Sequence, residues 1–270
     1  MSLPILDNPE FFNSFFKQGE DSPSDSSEFQ SLSPECHQLG DKTAEIHIFK
    51  NEPAEPHILY FPSEFDTPSD LAFLATGIGQ YGYTFSAVNW LNIQTFNQAF
   101  ATAKTCFSEF KKWMQENGRT GQIIIMGRSL GTSIVLDLAV SVQKELLCLI
   151  LESAFHTTDA LFEGLNLDKS QLSENEDPFR NREKMAKVEK PVLLIHSHRD
   201  KVIPVQDIEW LVCESRSKAS QFQIAGANSR NSLAQDCGEL YFQVIHNFIN
   251  LRLGRRPKRK SWRERRKTTA

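Results

Sequence analysis

The chain of 270 residues has no apolar run long enough to cross a bilayer. Its opening Met1-Ser2-Leu3-Pro4 has neither the basic start nor the apolar core of a secretory signal. A soluble, cytoplasmic protein is expected. The five cysteines, Cys36, Cys106, Cys148, Cys213 and Cys237, are odd in number, scattered and without a C-x-x-C pair. That pattern points to reduced thiols rather than a disulfide framework or a zinc site. A dinucleotide signature is also lacking in any usable setting. Gly77-Ile78-Gly79-Gln80-Tyr81-Gly82 matches G-x-G-x-x-G, but it follows a helical pattern and precedes a strand, whereas dinucleotide binding needs strand, glycine turn and then helix. No metal and no organic cofactor is expected.

Charge is present but unevenly distributed. The net charge is −4, yet residues 252–267 hold ten Lys/Arg against one acid, which leaves −13 on the remainder. The run Arg255-Arg256-Pro257-Lys258-Arg259-Lys260-Ser261-Trp262-Arg263-Glu264-Arg265-Arg266-Lys267 admits three readings. It is a solvated terminus, a nucleic-acid contact with Trp262 stacking on a base, or a contact with an anionic membrane surface. At the other end, Asn8-Pro9-Glu10 opens a short helix with Phe11, Phe12, Phe15 and Phe16 on one side, expected to dock on the main domain. Residues 20–35 have the Ser, Pro and acid content of a linker. The chain therefore divides into 1–42, an N-terminal helix and acidic Ser/Pro-rich linker; 43–251, the main domain; and 252–270, a basic tail.

Within the main domain, apolar β-branched runs alternate with helical patterns. Strands are predicted at Glu45–Phe49, His57–Phe61, Thr84–Trp90, Gln122–Met126, Leu146–Glu152, Val192–His196 and Ser220–Ile224. Helices are predicted at Ser69–Gln80, Gln94–Asn117, Thr132–Gln143, Val205–Arg216 and Leu233–Leu253. Such alternation specifies an α/β fold with a mostly parallel sheet covered by helices on both faces. The irregular, acidic stretch within residues 155–190 reads as a short lid-like insertion over the carboxyl edge of that sheet.

One segment carries chemistry. Gly127-Arg128-Ser129-Leu130-Gly131 lies between the apolar run Ile123–Met126 and a helical stretch, the strand-turn-helix setting in which G-x-S-x-G lifts a serine hydroxyl above the sheet. Serine is a poor nucleophile at neutral pH, so a histidine must take its proton and a carboxylate must orient that histidine.

Together with Glu152-Ser153-Ala154-Phe155, Asp177-Pro178-Phe179-Arg180-Asn181 and Pro191–Pro204, this pentapeptide gives residues 43–250 a resemblance to the α/β-hydrolase superfamily. The resemblance is to its small intracellular serine hydrolases, the esterase-, peptidase- and depalmitoylase-like branch. It implies acyl transfer to water, with Ser129 as nucleophile, Asp200 as the acid and the N–H of Leu130 as an oxyanion donor. A small-molecule acyl substrate would be the partner.

The residues depart from that family at three loops. In Ile224-Ala225-Gly226-Ala227-Asn228-Ser229-Arg230-Asn231 the position matching the histidine is Ser229, and a hydroxyl is no base near neutral pH. The His-Gly turn after the early strand reads Pro62-Ser63-Glu64, which removes a donor and brings negative charge to where negative charge must develop. The next active-edge loop reads Asn89-Trp90-Leu91-Asn92. His156 is the best candidate for a substitute base, with His196 and His198 also near the carboxyl edge. Two functions fit these residues. One is a serine hydrolase of ester or related acyl bonds, weakened or silenced by Ser229. The other is a non-catalytic binding module whose tail contacts nucleic acid or an anionic membrane. Oligomeric state is not legible.

Overall fold

The structure, a computed structural model, describes residues 4–16, 31–49, 55–167, 172, 177–228 and 233–255. A short helix α1 (Pro9–Phe16) precedes β1 (Glu35–Gln38), β2 (Ala44–Phe49) and β3 (His57–Phe61). Then follow α2 (Pro68–Gly79), β4 (Thr84–Trp90), α3 (Phe96–Glu116), β5 (Ile123–Arg128), α4 (Leu130–Val142) and β6 (Leu146–Glu152). The remainder is α5 (Thr158–Leu165), α6 (Asn181–Met185), β7 (Val192–Arg199), α7 (Val205–Glu214), β8 (Ala219–Asn228), α8 (Leu233–Cys237) and α9 (Glu239–Arg252).

The eight strands form one sheet in the order β1-β2-β4-β3-β5-β6-β7-β8. From β4 to β8 all neighbours are parallel, while β2 runs antiparallel to β4 and β1 antiparallel to β2. This is the α/β-hydrolase fold, with the mostly parallel sheet and two-sided helical cover that the alternating pattern predicts. Strands β3 and β5 are buried at every residue, as a sheet covered on both faces requires. One core packs α1, α3, α4, α5 and α7 against the first face; the other packs α2, α8 and α9 against the second.

Local chemistry sets the helix starts. Thr67 and Asp70 form a reciprocal capping box at the head of α2, and Thr95 accepts from the Gln98 N–H at the head of α3. Along α3, Phe96, Phe100, Ala103, Phe107, Phe110 and Met114 recur at steps of three and four and are all buried. In α1, Phe11, Phe12 and Phe15 are buried against Phe96, while Phe11 stacks on Phe162 at 5.7 Å. Gly77, the first glycine of the G-x-G-x-x-G match, lies inside α2, where a Cβ would strike the ring of Phe242; closeness of two helices explains it.

Several element limits differ from the sequence expectation, and α5 and α6 form within the 155–190 stretch read as irregular. The predicted helix over 233–253 is broken at Gly238, whose φ of 53° separates α8 from α9. Strand β1 falls within the segment read as N-terminal linker. Its four residues alternate half-buried and exposed and carry almost no apolar signal.

Candidate active site

At the carboxyl end of β5 the chain turns into α4 through Ser129, held at φ 49° and ψ −119°. Non-glycine residues occupy this region only when their surroundings over-determine it. Here they do. The Ser129 N–H donates to Glu152 O at 2.9 Å, and Ser129 O accepts from the Thr132 N–H at 3.0 Å and from Thr132 Oγ1 at 2.6 Å. The flanking glycines make the turn possible. A Cβ on Gly127 would lie 2.5 Å from Gly131 O, and one on Gly131 would collide with Phe61 O at the end of β3. Elbow and β3 loop are thereby brought together.

That closeness decides what Ser129 touches. Its hydroxyl donates to Glu64 Oε1 at 2.8 Å, and the Leu130 N–H points to Glu64 Oε2 at 3.4 Å. Glu64 is only 8% exposed. Burial pushes its carboxyl above the usual range, against the opposing pull of the Ser129 and Leu130 hydrogen bonds and of Arg128.

A buried polar network lies beneath. Arg128 pairs with Asp66 Oδ1 at 2.5 Å and with Glu152 Oε1 at 3.3 Å. Asp66 Oδ2 also accepts from Tyr60 Oη at 2.6 Å and from the Ser63 N–H at 2.7 Å, and Glu152 Oε2 accepts from Tyr241 Oη at 2.5 Å. Burial alone would lower the Arg128 pKa, but Asp66 and Glu152 outweigh it and raise it. The guanidinium therefore stays charged and ties β5, β6 and the β3 loop into one unit.

Asp200 follows β7. Its Oδ1 accepts from the Val202 N–H at 2.9 Å and the Ile203 N–H at 2.8 Å, and burial raises its pKa. It lines, with Phe65, Arg128, Ser129, Ser153, Val202 and Ile203, a cavity of about 20 Å³. That is about the volume one water molecule needs. The structure thus brings Ser129, Leu130 and Asp200 to one place.

The histidines are placed differently. The His156 backbone N–H donates to Asp207 Oδ2 at 2.7 Å, and its ring packs 5.5 Å from Trp210 on α7. Among the described residues its buried ring nitrogens have no hydrogen-bond partner. His196 is buried with Nε2 3.0 Å from Ile203 O, and His198 is exposed. Ser229 lies outside the described residues, as do residues 256–270 of the basic tail.

Sequence reasoning flagged Glu64 as a hostile charge but did not reveal that it grips the serine. It missed Asp66 and Tyr241 entirely, and it read Glu152 as the end of a strand and of a family-like segment but not as a partner of Arg128. The available signal was Arg128, a charged side chain just after the apolar run Ile123–Met126, which demands buried carboxylates somewhere.

Larger cavities lie elsewhere. One of about 600 Å³ lies where Phe100 and Lys104 of α3, Asp137 of α4 and Lys184 of α6 meet. Another of about 760 Å³ lies at the amino edge of the sheet, lined by Glu55, Tyr81, Arg119 and Arg255 among others.

No protein-family model and no curated protein sequence matches the chain. Solved structures do. An esterase from Pyrococcus furiosus superposes with a TM-score of 0.63 at 15% identity, over 82% of this chain and 94% of its own. A monoacylglycerol lipase from Paleococcus ferrophilus gives 0.56 at 15%, over 77% and 98%. An α/β-hydrolase superfamily protein from Enterococcus faecalis gives 0.60 at 14%, over 81% and 98%. These likenesses establish the α/β-hydrolase fold. No helix among the described residues is long and apolar enough to cross a membrane.

Proposed function

We propose that this chain is a non-hydrolytic binding protein on the α/β-hydrolase fold. Ser129 acts as a fixed hydrogen-bond donor, and the basic tail of residues 252–270 contacts an anionic partner. The observation that carries this reading is the bridge from Glu64 to Ser129 Oγ and the Leu130 N–H. Acyl transfer needs that N–H to receive a carbonyl oxygen as it becomes negative, and a carboxylate in the same place does the opposite. Two unit charges about 4 Å apart repel by roughly 4 kcal/mol at an effective dielectric of 20. A lost oxyanion donor adds on the order of 3 kcal/mol to the barrier. No described histidine is hydrogen-bonded to Ser129, so its proton has no imidazole to accept it.

A second reading has its own support. Ser129 and Asp200 line one cavity, and the strained elbow conformation is intact. On that reading the chain hydrolyses an ester or related acyl bond through Ser129, with Asp200 as the acid and Leu130 as an oxyanion donor. Fluorophosphonate labelling at neutral pH separates the two. The wild type should remain unlabelled, whereas Glu64→Gly combined with Ser229→His should gain labelling. Wild-type labelling that disappears in Ser129→Ala would overturn the non-hydrolytic reading.

A further inference from the structure

The outer face of the antiparallel edge carries a cluster unrelated to the elbow. Strand β2 buries Ala44, Ile46 and Ile48 in the core, so Glu45 and His47 project from the other face. Cys36 of β1 is the cross-strand partner of His47, and Asn89 of β4 is the partner of Glu45, so all four side chains share that face. Cys36 Sγ lies 3.1 Å from Glu45 Oε2, and His47 Nε2 lies 2.6 Å from Glu45 Oε1. One donor atom from each of Cys36, Glu45 and His47 falls within 4.8 Å of the others.

We propose that Cys36, Glu45 and His47 form a binding site for a zinc-class divalent cation that clasps edge strand β1 to β2. The donor set selects the ion. Calcium and magnesium take oxygen ligands, usually six or more, whereas one thiolate, one imidazole and one carboxylate suit zinc. Zinc bonds of about 2.0–2.3 Å place tetrahedral ligand atoms roughly 3.5 Å apart, a spacing that small rotations of these side chains reach. A thiolate and a carboxylate also neutralise the ion's two charges. Glu45 is already oriented, because Asn89 Nδ2 donates to its Oε1 at 2.9 Å, as outer partners of metal ligands do. Cys36 is exposed, which gives the ion a path in and leaves the fourth position to solvent. Opposed positions on two paired strands hold the donors together more firmly than a loop would. Spacing in the sequence hid the site, since its thiol and imidazole are paired by strand register alone.

The test is a cobalt(II) titration of the full, tag-free chain, read by the thiolate-to-cobalt charge-transfer band and followed by displacement with zinc. One cobalt per chain is expected, with the band abolished in Cys36→Ser and retained in Cys213→Ser. His47→Ala and Glu45→Gln should each weaken binding at least about tenfold, and Asn89→Ala by about tenfold. Zinc should raise the melting temperature of the wild type and not of Cys36→Ser. A folded wild type without the band, or a band that survives in Cys36→Ser, overturns the proposal.

Discussion

Glu64 Oε1 and Ser129 Oγ lie 2.8 Å apart although 65 positions separate them in the chain. Their meeting follows from strand order. β3 pairs with β5 in parallel, with Phe61 opposite Gly127, so the loop leaving β3 must run beside the turn leaving β5. The residue three places past Phe61 meets the serine there. In this chain that residue is an acid, and the site is filled from within.

The buried carboxyl makes stability depend on pH. Glu64 has a folded pKa above its unfolded value, so its contribution is fully present below the unfolded pKa and is lost as pH rises through the folded one. Glu64→Gln keeps a side-chain acceptor for the Ser129 hydroxyl without the charge. Urea melts at several pH values should show the variant equal to wild type near pH 4 and more stable than wild type at pH 8. A gap that fails to widen between those values would mean that the carboxylate is not penalised by its burial.

Arg128 is 4% exposed and lies between two buried carboxylates. Removing one partner of such a set leaves uncompensated charge, which costs about 3–5 kcal/mol. Arg128→Leu should lose that much in denaturant unfolding. Adding Asp66→Asn should recover part of the loss by removing one of the stranded charges, a non-additivity that a double-mutant cycle measures directly.

The fold was legible because its signal is local. Runs such as Ile123–Met126 and the three-four spacing of phenylalanines in α3 are visible within a dozen residues, and the glycines around Ser129 announce the turn. The strand β1 was not, since a four-residue edge with Cys36 and Gln38 facing outward has no apolar alternation to detect. The site was only partly legible for a different reason. Contacts of Glu64 with Ser129 and of Asp66 with Arg128 depend on which strands become neighbours, and periodicity carries no register between distant strands. Helix α9 was joined to α8 because one glycine within an apolar pattern does not by itself mark a break.

Helix α1 is a structural part of the core. Phe11 is fully buried, stacked on Phe162 and edge-on to Phe96 at 5.6 Å. Truncating a buried phenylalanine costs about 3–5 kcal/mol. Phe11→Ala should therefore lower the unfolding free energy by that amount, and deletion of residues 1–16 should expose Phe96, Phe162 and Phe179 and raise binding of a hydrophobic dye. A fully stable, dye-negative truncation would show that the aromatic cluster closes without the helix.

The basic tail leads to a prediction about competition. Residues 252–267 carry ten cationic side chains against a remainder of net charge −13, so the tail has an intramolecular polyanion to lean on before any partner arrives. A nucleic acid must outcompete that surface, and salt weakens both contacts. If six or more phosphates are engaged, affinity for a short duplex or single strand should fall by about 10³-fold or more between 50 and 200 mM salt. Deleting residues 252–270 should abolish binding, and Trp262→Ala should weaken single-strand binding selectively, by about 1–3 kcal/mol if the ring stacks on a base. Fluorescence anisotropy with labelled oligonucleotides, run beside sedimentation with anionic vesicles, identifies which surface the tail prefers. Binding that persists in the deletion would move the contact onto the folded domain.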